Sequence, residues 1–323
     1  MRLLALGSTG FLSGAVVEAA LARGHEVVAV SRGLKGPTLP GAVAVHADRD
    51  VLADLDAALA PYVPTVDAVI DTCGQTVAGA EATASVLGGV PHYTYVSSIS
   101  AYAHWPPGPV LGEGDPTFGP DDHLTTYGPM KAQSERVLAA ALGDRLLTVR
   151  AGLIVGPGDR TRRLTGWLHR IATQRRVAVP ADLDQPIAVV DVRDLAGWMV
   201  DAAVAGHRGP VNATGPAGMT TFGGMLDACR GAVAALGGVP AELVPVPDDV
   251  LAAAGVVPWT DLPFALPAEM AATAWQVGTS RARELGLPSR PIEDSVLAAW
   301  QWVAGEGFEH PPVPEHVAAL TAP

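Results

Sequence analysis

Near its N-terminus the chain reads Leu3-Leu4-Ala5-Leu6-Gly7-Ser8-Thr9-Gly10-Phe11-Leu12-Ser13-Gly14, an apolar strand that runs into a glycine-rich turn. A helix-like run follows over residues 15–23, and residues 25–30 have the pattern of a second strand. In such a βαβ unit Gly7 permits the tight turn, and Gly10 lets the backbone approach a pyrophosphate at the positive end of the helix. The usual third glycine would fall at Ser13. The unit predicts a dinucleotide site that includes Gly7, Ser8, Thr9, Gly10, Phe11 and Leu12.

Strands and helices alternate through the first half of the chain, with further strands predicted at residues 42–45, 66–71, 93–96 and 146–149. Alternation with short connections predicts an α/β fold: a Rossmann-type, doubly wound parallel sheet covered by helices on both faces. We predict a dinucleotide-binding domain over residues 1–155, rejoined by a strand near 210–214. Residues 156–323 are predicted to form mainly a smaller, mixed C-terminal lobe that binds or caps the substrate.

Lysine is scarce, yet one of the two lysines among 21 basic residues, Lys131, follows Tyr127 by four positions. Residues four apart share one face of a helix. An ammonium group beside a phenol favours the phenolate and lowers the tyrosine pKa towards the working pH. Arginine, with its planar fork, is not equivalent. The spacing indicates a catalytic pair, and the alternative is a chance pair on a solvated helix.

Composition excludes several classes of function. The net charge is −12 without any basic block, which argues against nucleic acid or an anionic membrane as partner. No apolar run is long enough to span a membrane. Cys73 and Cys229 are the only cysteines and form no disulfide framework, so a reducing cytoplasm is expected. The nine histidines show no ligand spacing with Cys, Asp or Glu, so no metal is predicted.

Several segments, in order along nearly the whole chain, resemble the short-chain dehydrogenase/reductase superfamily. The similarity is to its extended and atypical branch, often labelled NAD-dependent epimerase/dehydratase. The matching segments are residues 7–12, Asp48, residues 70–72, 96–102 and 127–131, Arg150, and residues 156–157, 191–194 and 280–281. Their combination is specific, whereas no single segment is.

The resemblance implies a role for each residue of a Ser-Tyr-Lys site. Tyr127 would exchange a proton with a substrate oxygen, and Lys131 would hold the nicotinamide ribose and lower the Tyr127 pKa. Ser98 is similar to the family serine that hydrogen-bonds the same oxygen, with Ser97 and Ser100 as alternatives. Two hydroxyl donors would stabilise the negative charge that develops on that oxygen. The predicted cofactor-binding set is completed by Asp48, which resembles the family residue that contacts adenine, and by Arg49, Thr72, Cys73, Gly74 and Lys131.

Three positions depart from the family pattern. Ser13 replaces the third glycine, and Ala151 stands where the family usually has proline after the arginine at Arg150. Ser98-Ile99-Ser100 lacks the Asp-Glu pair that sugar-nucleotide 4,6-dehydratases use for elimination, so that subclass is disfavoured.

The end of the second strand bears on the choice of cofactor. It reads Val30-Ser31-Arg32-Gly33 and carries no acidic residue to bind a ribose 2′-hydroxyl. Ser31 can hydrogen-bond a 2′-phosphate and Arg32 can pair with it bidentately. The strand end therefore predicts NADP(H) in preference to NAD(H). If Arg32 instead points to solvent or stacks on adenine, either cofactor would be tolerated.

These features predict an NAD(P)-dependent oxidoreductase, first of all an NADPH-dependent keto reductase acting on a small-molecule carbonyl or alcohol. The alternative is a nucleotide-sugar epimerase with internal NAD redox cycling, and the third hypothesis is a non-catalytic cofactor-binding regulator. Trp105 and Trp259 could cover a flat apolar substrate, under a loop at residues 106–122 that is either a lid or a solvated connection. His104 and His123 flank the predicted site. Relatives often dimerise through a helix pair that would include the helix at Tyr127, so a homodimer is one outcome.

Overall fold

The computed structural model describes residues 1–34, 36–306, 310 and 312–321. The strands are β1 (Arg2–Leu6), β2 (Glu26–Ser31), β3 (Val43–His46), β4 (Ala68–Asp71), β5 (Tyr93–Ser98), β6 (Leu146–Ala151), β7 (Leu153–Val155), β8 (Arg176–Pro180), β9 (Pro186–Ile187), β10 (Val189–Asp191), β11 (Gly209–Ala213), β12 (Thr220–Thr221) and β13 (Glu242–Val246).

The α-helices are α1 (Phe11–Ala22), α2 (Leu52–Leu59), α3 (Val77–Leu87), α4 (Tyr127–Leu142), α5 (Leu164–Thr173), α6 (Val192–Ala205), α7 (Phe222–Ala235), α8 (Asp248–Ala253), α9 (Ala268–Ala274), α10 (Ser280–Glu284), α11 (Ile292–Glu306) and α12 (Glu315–Ala318). Single 3-10 turns occur at Val63–Thr65, Ile99–Ala101, Gly143–Arg145 and Ala319–Thr321.

Seven parallel strands form the main sheet, in the order β11-β6-β5-β4-β1-β2-β3. The predicted Rossmann-type, doubly wound α/β fold is therefore confirmed. Strand β11 pairs with β6, with Asn212 opposite Arg150. Helix α1, which connects β1 to β2, packs on one face of the sheet, and α2, which connects β3 to β4, packs on the other face. The strand ends between β1 and β4 therefore open a crevice for a ligand.

Both faces of the sheet are buried, which explains why its strands are almost uninterruptedly apolar. Leu3 and Ala5 of β1 pack in the layer of α1 and α6, whereas Leu4 and Leu6 pack in the opposite layer with α2, α3 and α4. Side chains alternate between the faces of a strand, so one five-residue strand contributes to both cores.

A second core lies in the C-terminal part of the chain, where α5, α7 and α11 pack together. Trp167 and Phe222 meet edge to face there, with ring centroids 5.6 Å apart. Short sheets of two strands, β8 with β13 and β9 with β12, cover this core. The division of the chain at residue 155 stays a prediction.

Helix α1 begins at Phe11, four residues earlier than the pattern at 15–23 predicts. Gly10 is its N-cap residue, and the Gly10 N–H donates a 2.8 Å hydrogen bond to the Ser13 hydroxyl. The residue that replaces the family's third glycine thus closes the first turn of the helix. The glycine-rich turn is correspondingly short, and the N-terminal amides of α1 lie at the crevice.

No helix among the described residues is both long and apolar enough to cross a membrane. The same part of the chain holds no group of three or more side chains suited to bind a metal ion. Cys73 and Cys229 are free thiols.

Candidate active site

A cleft of about 400 Å³ lies at the carboxyl ends of β1, β2 and β4. Its lining contains most of the predicted cofactor-binding residues: Gly7, Ser8, Thr9, Gly10, Phe11, Leu12, Ser31, Arg32, Asp48, Arg49, Thr72 and Cys73. It also contains Leu34, Asp50 and Gln75, which no sequence motif had singled out.

The turn at Gly7 has no room for a side chain. Gly7 has a φ of +92°, and a Cβ there would lie 2.7 Å from the Thr72 hydroxyl. The Gly7 N–H donates to the Val30 carbonyl at 2.9 Å, which ties β1 to β2 at the mouth of the cleft. The buried Ser8 hydroxyl has no hydrogen-bond partner among the described residues. A narrow turn, helix amides and an unpaired hydroxyl together fit the phosphates of a dinucleotide.

The rim of the cleft carries the residues predicted to choose the cofactor. Arg32 is exposed, and the Ser31 hydroxyl accepts a 3.2 Å hydrogen bond from the Gly33 N–H. Asp48 is half-buried, and one of its carboxylate oxygens accepts from the Asp50 N–H at 3.1 Å. Among the described residues of this part of the rim, the guanidinium of Arg32 is a cationic group that a nucleotide could contact.

The guanidinium of Arg49 forms hydrogen bonds with buried side chains of the protein. It donates to Asp71 at 2.9 Å and to the Thr83 hydroxyl at 3.3 Å, and the other Asp71 oxygen accepts from the Tyr93 hydroxyl at 2.8 Å. Burial by itself would lower the pKa of Arg49, but the Asp71 carboxylate outweighs it and raises that pKa. For the neighbouring Cys73 thiol, which is neutral when protonated, burial has the opposite sign and raises the pKa to about 12. This cysteine is therefore no thiolate nucleophile. Arg49 supports the cleft floor from below.

A larger chamber, about 760 Å³ in volume, opens beside the cleft. Phe11 lines both spaces and so marks where they meet. Ser98, at the end of β5, and Tyr127, the first residue of α4, both line the chamber. The site thus brings the two predicted hydroxyls to the same space, next to the nucleotide cleft.

The two alternative serines, Ser97 and Ser100, have different surroundings in the structure. Ser97 donates a very short hydrogen bond to the buried Glu135 carboxylate, and it does not line the chamber. Ser100 does line the chamber, and its N–H donates to the Ser98 hydroxyl at 3.1 Å. Ser98 and Ser100 are therefore the serines that face a substrate space.

Lys131 lies almost fully buried behind Tyr127. Its ammonium donates to the carbonyls of Gly74 at 2.6 Å and of Val96 at 2.9 Å. The Nζ atom is 5.7 Å from the centre of the Tyr127 ring. Burial lowers the pKa of Lys131 to about 8, against the opposing effect of the Asp71 charge. Gly74, which is predicted to bind the cofactor, thus contacts the lysine through its carbonyl.

The expected lowering of the Tyr127 pKa by Lys131 is wrong for this structure. Although 49% of Tyr127 is exposed, loss of hydration is the largest influence and raises its pKa. Hydrogen bonding with the Ser98 side chain and the charge of Arg163 act in the opposite direction without cancelling the effect. The ammonium of Lys131 is held by two carbonyl groups. The pKa of the Tyr127 phenol therefore lies above its ordinary value because the phenol is removed from water.

A buried network of an ion pair and hydrogen bonds surrounds Arg150 behind the chamber. Arg150 pairs with Glu135 at 2.7 Å and donates to the Tyr102 hydroxyl at 2.9 Å, which in turn donates to Asn212 at 2.7 Å. The Asn212 N–H donates to the Glu113 carboxylate at 2.9 Å. Four parts of the chain are joined in this way: α4, β6, β11 and the loop before α4. Glu135 lies four residues after Lys131, a spacing that could have flagged it in the sequence.

The start of α4 sits tightly against the turn that follows β5. A Cβ at Gly128 would lie 2.2 Å from the Ser100 carbonyl oxygen and 2.9 Å from the Phe118 ring. The absence of a side chain at residue 128 is what allows Tyr127 to approach the Ser98 segment.

Tryptophans line much of the chamber wall. Trp105 and Trp259, predicted to cover a substrate, are joined there by Trp275, which also belongs to the C-terminal core. The loop predicted as a lid or a connection contributes Pro106 to the lining. His104 and His123 are exposed and do not line the chamber.

A family model described as "NAD dependent epimerase/dehydratase family" matches residues 3–213. A search of curated proteins found no match.

Solved structures share this fold across almost the full length of the chain. The enzyme WbmH of Bordetella bronchiseptica, solved in complex with NAD+, is 16% identical with a TM-score of 0.71, covering 95% of this chain and 99% of that one. A UDP-glucose 4-epimerase is 16% identical with a TM-score of 0.72, covering 97% and 100%. The UDP-glucose 4-epimerase of Thermus thermophilus, in complex with NAD, is 19% identical with a TM-score of 0.62, covering 94% and 99%.

Replacing Gly128 with alanine tests the contact between α4 and the Ser98 segment. Helix propensity alone favours alanine by about 1 kcal/mol, but the added Cβ must displace the Ser100 carbonyl. We expect Gly128→Ala to lower the free energy of unfolding by about 1–3 kcal/mol, measured by urea denaturation.

The matched control is Gly231→Ala in α7, where a Cβ would meet nothing within 4 Å. This variant should be neutral or slightly stabilised. If both variants are as stable as the wild type, Gly128 is not a close-packing position.

Proposed function

The chain belongs to the NAD-dependent epimerase/dehydratase family, and we propose that it catalyses hydride transfer between a nicotinamide cofactor and a secondary alcohol or ketone carbon. The observation that carries the proposal is the pair of hydroxyls, Ser98 and Tyr127, that line one chamber beside the dinucleotide cleft. A bound nicotinamide would supply or accept the hydride. The protein's own residues would position the substrate and handle its proton.

In this proposal Tyr127 is the acid and base. Its raised pKa keeps the phenol protonated at neutral pH, so it is set to give a proton to the oxygen of a ketone that is being reduced. Ser98 donates a second hydrogen bond to the same oxygen and stabilises its developing charge. In the reverse direction Tyr127 has to be in its phenolate form, and it then receives the alcohol proton while the hydride passes to the oxidised nicotinamide.

Lys131 and the cleft hold the cofactor in this proposal. Of the three N–H donors of the ammonium, two bond to the carbonyls of Gly74 and Val96. The remaining donor would reach the nicotinamide ribose. The turn from Gly7 to Gly10 and the amides of α1 would bind the pyrophosphate.

Two fates of the hydride remain, and the comparisons favour its return to the same substrate, as in an epimerase. The family is described as NAD-dependent, and two of the similar structures are UDP-glucose 4-epimerases. Two of the similar structures were also solved in complex with NAD. We therefore rank internal redox cycling with NAD first among the specific readings.

Net reduction of a ketone by NADPH is the second candidate. It is favoured by the end of β2, which presents Ser31 and the exposed Arg32 to the cleft and carries no acidic residue. An acidic side chain at this point is the usual ligand of an NAD ribose.

The cofactor that stays with the purified protein distinguishes the two candidates. We expect denaturation to release close to one equivalent of NAD(H), identified by absorbance and mass, since internal cycling needs no exchange. An empty protein that binds NADPH more tightly than NADH would instead support the net reductase. Failure to bind either nucleotide would contradict the enzymatic proposal and favour a non-catalytic relative.

Tyr127→Phe tests the acid and base. We expect the variant to bind the nucleotide within about twofold of the wild type, because the phenol faces the chamber. Turnover of any substrate identified should fall about 10²- to 10⁴-fold, the usual contribution of a positioned proton donor. Wild-type turnover in this variant would contradict the assigned role.

Arg32→Asp tests the cofactor preference. If Arg32 binds a 2′-phosphate, its loss should weaken NADPH binding about 10- to 100-fold, as expected for hydrogen bonds to a charged group, with little effect on NADH. Arg175→Asp, also at an exposed arginine, is the charge-matched control. An unchanged NADPH/NADH ratio of dissociation constants would remove the argument for NADP.

A further inference from the structure

We propose that the chamber takes an apolar, ring-containing part of the substrate, which carries the reacting ketone or alcohol, rather than a sugar ring. This inference rests on the proposed function, because it places the reacting oxygen at Ser98 and Tyr127. It concerns the substrate class of that same site.

The chemistry of the chamber wall carries the argument. Of the 21 described residues that line it, sixteen are apolar or glycine, and the five others are Ser98, Ser100, Tyr127, Thr161 and Arg163. A sugar ring brings several hydroxyls that each need a partner once they leave water, whereas this wall offers few. The hydroxyls of Ser98 and Tyr127 are already assigned to one oxygen. The wall therefore suits a substrate whose reacting oxygen is nearly its only polar group there.

Three tryptophans give the chamber flat surfaces. The Trp105 indole N–H donates to the Ala274 carbonyl at 2.7 Å, so its polar atom is satisfied by the protein. Trp275 is 5% exposed, and Ala274 beside it also lines the chamber. Aromatic walls of this kind pack best against planar or cyclic apolar groups.

Trp259 is held in place by its surroundings. It lies in the left-handed backbone region with a φ of +68°, and its ring meets that of Phe264 edge to face at 6.3 Å. The Arg163 guanidinium lies over the Trp259 ring, 5.7 Å from its centre. Arg163 is the one charged side chain in the described lining, and this contact engages it with the wall.

The loop wall is also fixed without help from a ligand. Val110 forms a parallel bridge with Val277, through hydrogen bonds of 2.9 Å from the Val110 N–H to the Gln276 carbonyl and 2.8 Å from the Gly278 N–H to the Val110 carbonyl. Together with the bond from Trp105 to Ala274, this bridge holds the wall against the segment that leads into α10. A preformed wall binds a rigid apolar ring at little cost in ordering.

Charged groups gather outside the chamber. A recess of about 420 Å³ shares Thr161, Arg163 and Trp259 with the chamber and is lined further by Arg162, His169 and Arg170. An anionic part of a substrate would be accommodated in this recess rather than in the chamber. The apolar class assigned to the chamber holds with or without such a part.

Binding to the nucleotide-saturated protein tests this class. The probes are 1-tetralone, a bicyclic aryl ketone, and UDP-glucose, each titrated calorimetrically after NAD(H) or NADPH has been shown to bind. We expect 1-tetralone to bind at least 10-fold more tightly than UDP-glucose. Tighter binding of UDP-glucose, or no binding of 1-tetralone at millimolar concentration, would overturn the inference.

Two variants connect the binding to the chamber. Met270→Asp places a charge in the wall and should weaken 1-tetralone binding at least 10-fold with unchanged nucleotide affinity. Val239→Asp, at a residue that is 85% exposed and far from the lining, should leave both unchanged. If Met270→Asp disturbs nucleotide binding, Trp259→Ala replaces it, with the same expectation. Equal 1-tetralone affinity in the wall and control variants would also overturn the inference.

Failure of this inference differs from failure of the proposed function. If the nucleotide binds and UDP-glucose is turned over or bound in preference, the proposed hydride transfer is supported and the proposed apolar substrate class is wrong. If 1-tetralone binds in the chamber but the protein binds no nicotinamide nucleotide, the apolar character of the chamber is supported and the proposed hydride transfer is wrong.

Discussion

The position of β1 between β2 and β4 is the constraint on which the rest of the site depends. The connection from β1 to β2 runs through α1 on one face of the sheet, whereas the connection from β3 to β4 runs through α2 on the other face, so a crevice opens at the strand ends between β1 and β4. The chain must turn from β1 into α1 within this narrow space, which requires Gly7 at a positive φ beside Thr72. The same short turn brings Phe11 to the junction of the cleft and the chamber. The fold and the position of the site therefore both depend on the reversal of strand order at β1.

Two buried ion pairs, each with a tyrosine hydroxyl, frame this edge of the sheet. Arg49 and Asp71 bond with Tyr93 below the cleft, and Arg150 and Glu135 bond with Tyr102 behind the chamber. Burying such charges costs about as much as their attraction returns, although leaving one partner unpaired costs about 3–5 kcal/mol. The pairs therefore contribute little net stability, but they fix which strand ends and helices lie together. The second pair ties α4, which carries Tyr127 and Lys131, to β6 through Glu135.

The fold was predictable from local pattern, because apolar runs, glycine turns and alternation are properties of neighbouring residues. Gly7 to Leu12, Ser98 and Tyr127 could also be selected, since each stands at a strand end or at a helical spacing. Contacts across the fold could not be. Nothing near Arg49 in the sequence indicates that its guanidinium would pair with Asp71. Nothing near Ser97 indicates that its hydroxyl would donate a hydrogen bond to Glu135. The direction of the Tyr127 pKa shift was not predictable either, because it depends on how far the folded chain removes the phenol from water.

The residues proposed for the chemistry lie in one part of the chain, whereas the chamber wall draws on two parts. The family match ends at residue 213, and all residues assigned to hydride and proton transfer lie within it. Part of the apolar wall, including Trp259, Met270 and Trp275, lies beyond it, whereas Trp105 and Pro106 lie within it. Conversion at one alcohol or ketone carbon requires the hydroxyl pair and the cleft, whatever the rest of the substrate is. The wall decides which molecules bring such a carbon to Tyr127, and its indole surfaces favour rings that need no partner for a hydroxyl. The proposed hydride transfer at Ser98 and Tyr127 and the proposed apolar substrate are therefore compatible within one chain, because different side chains would serve each.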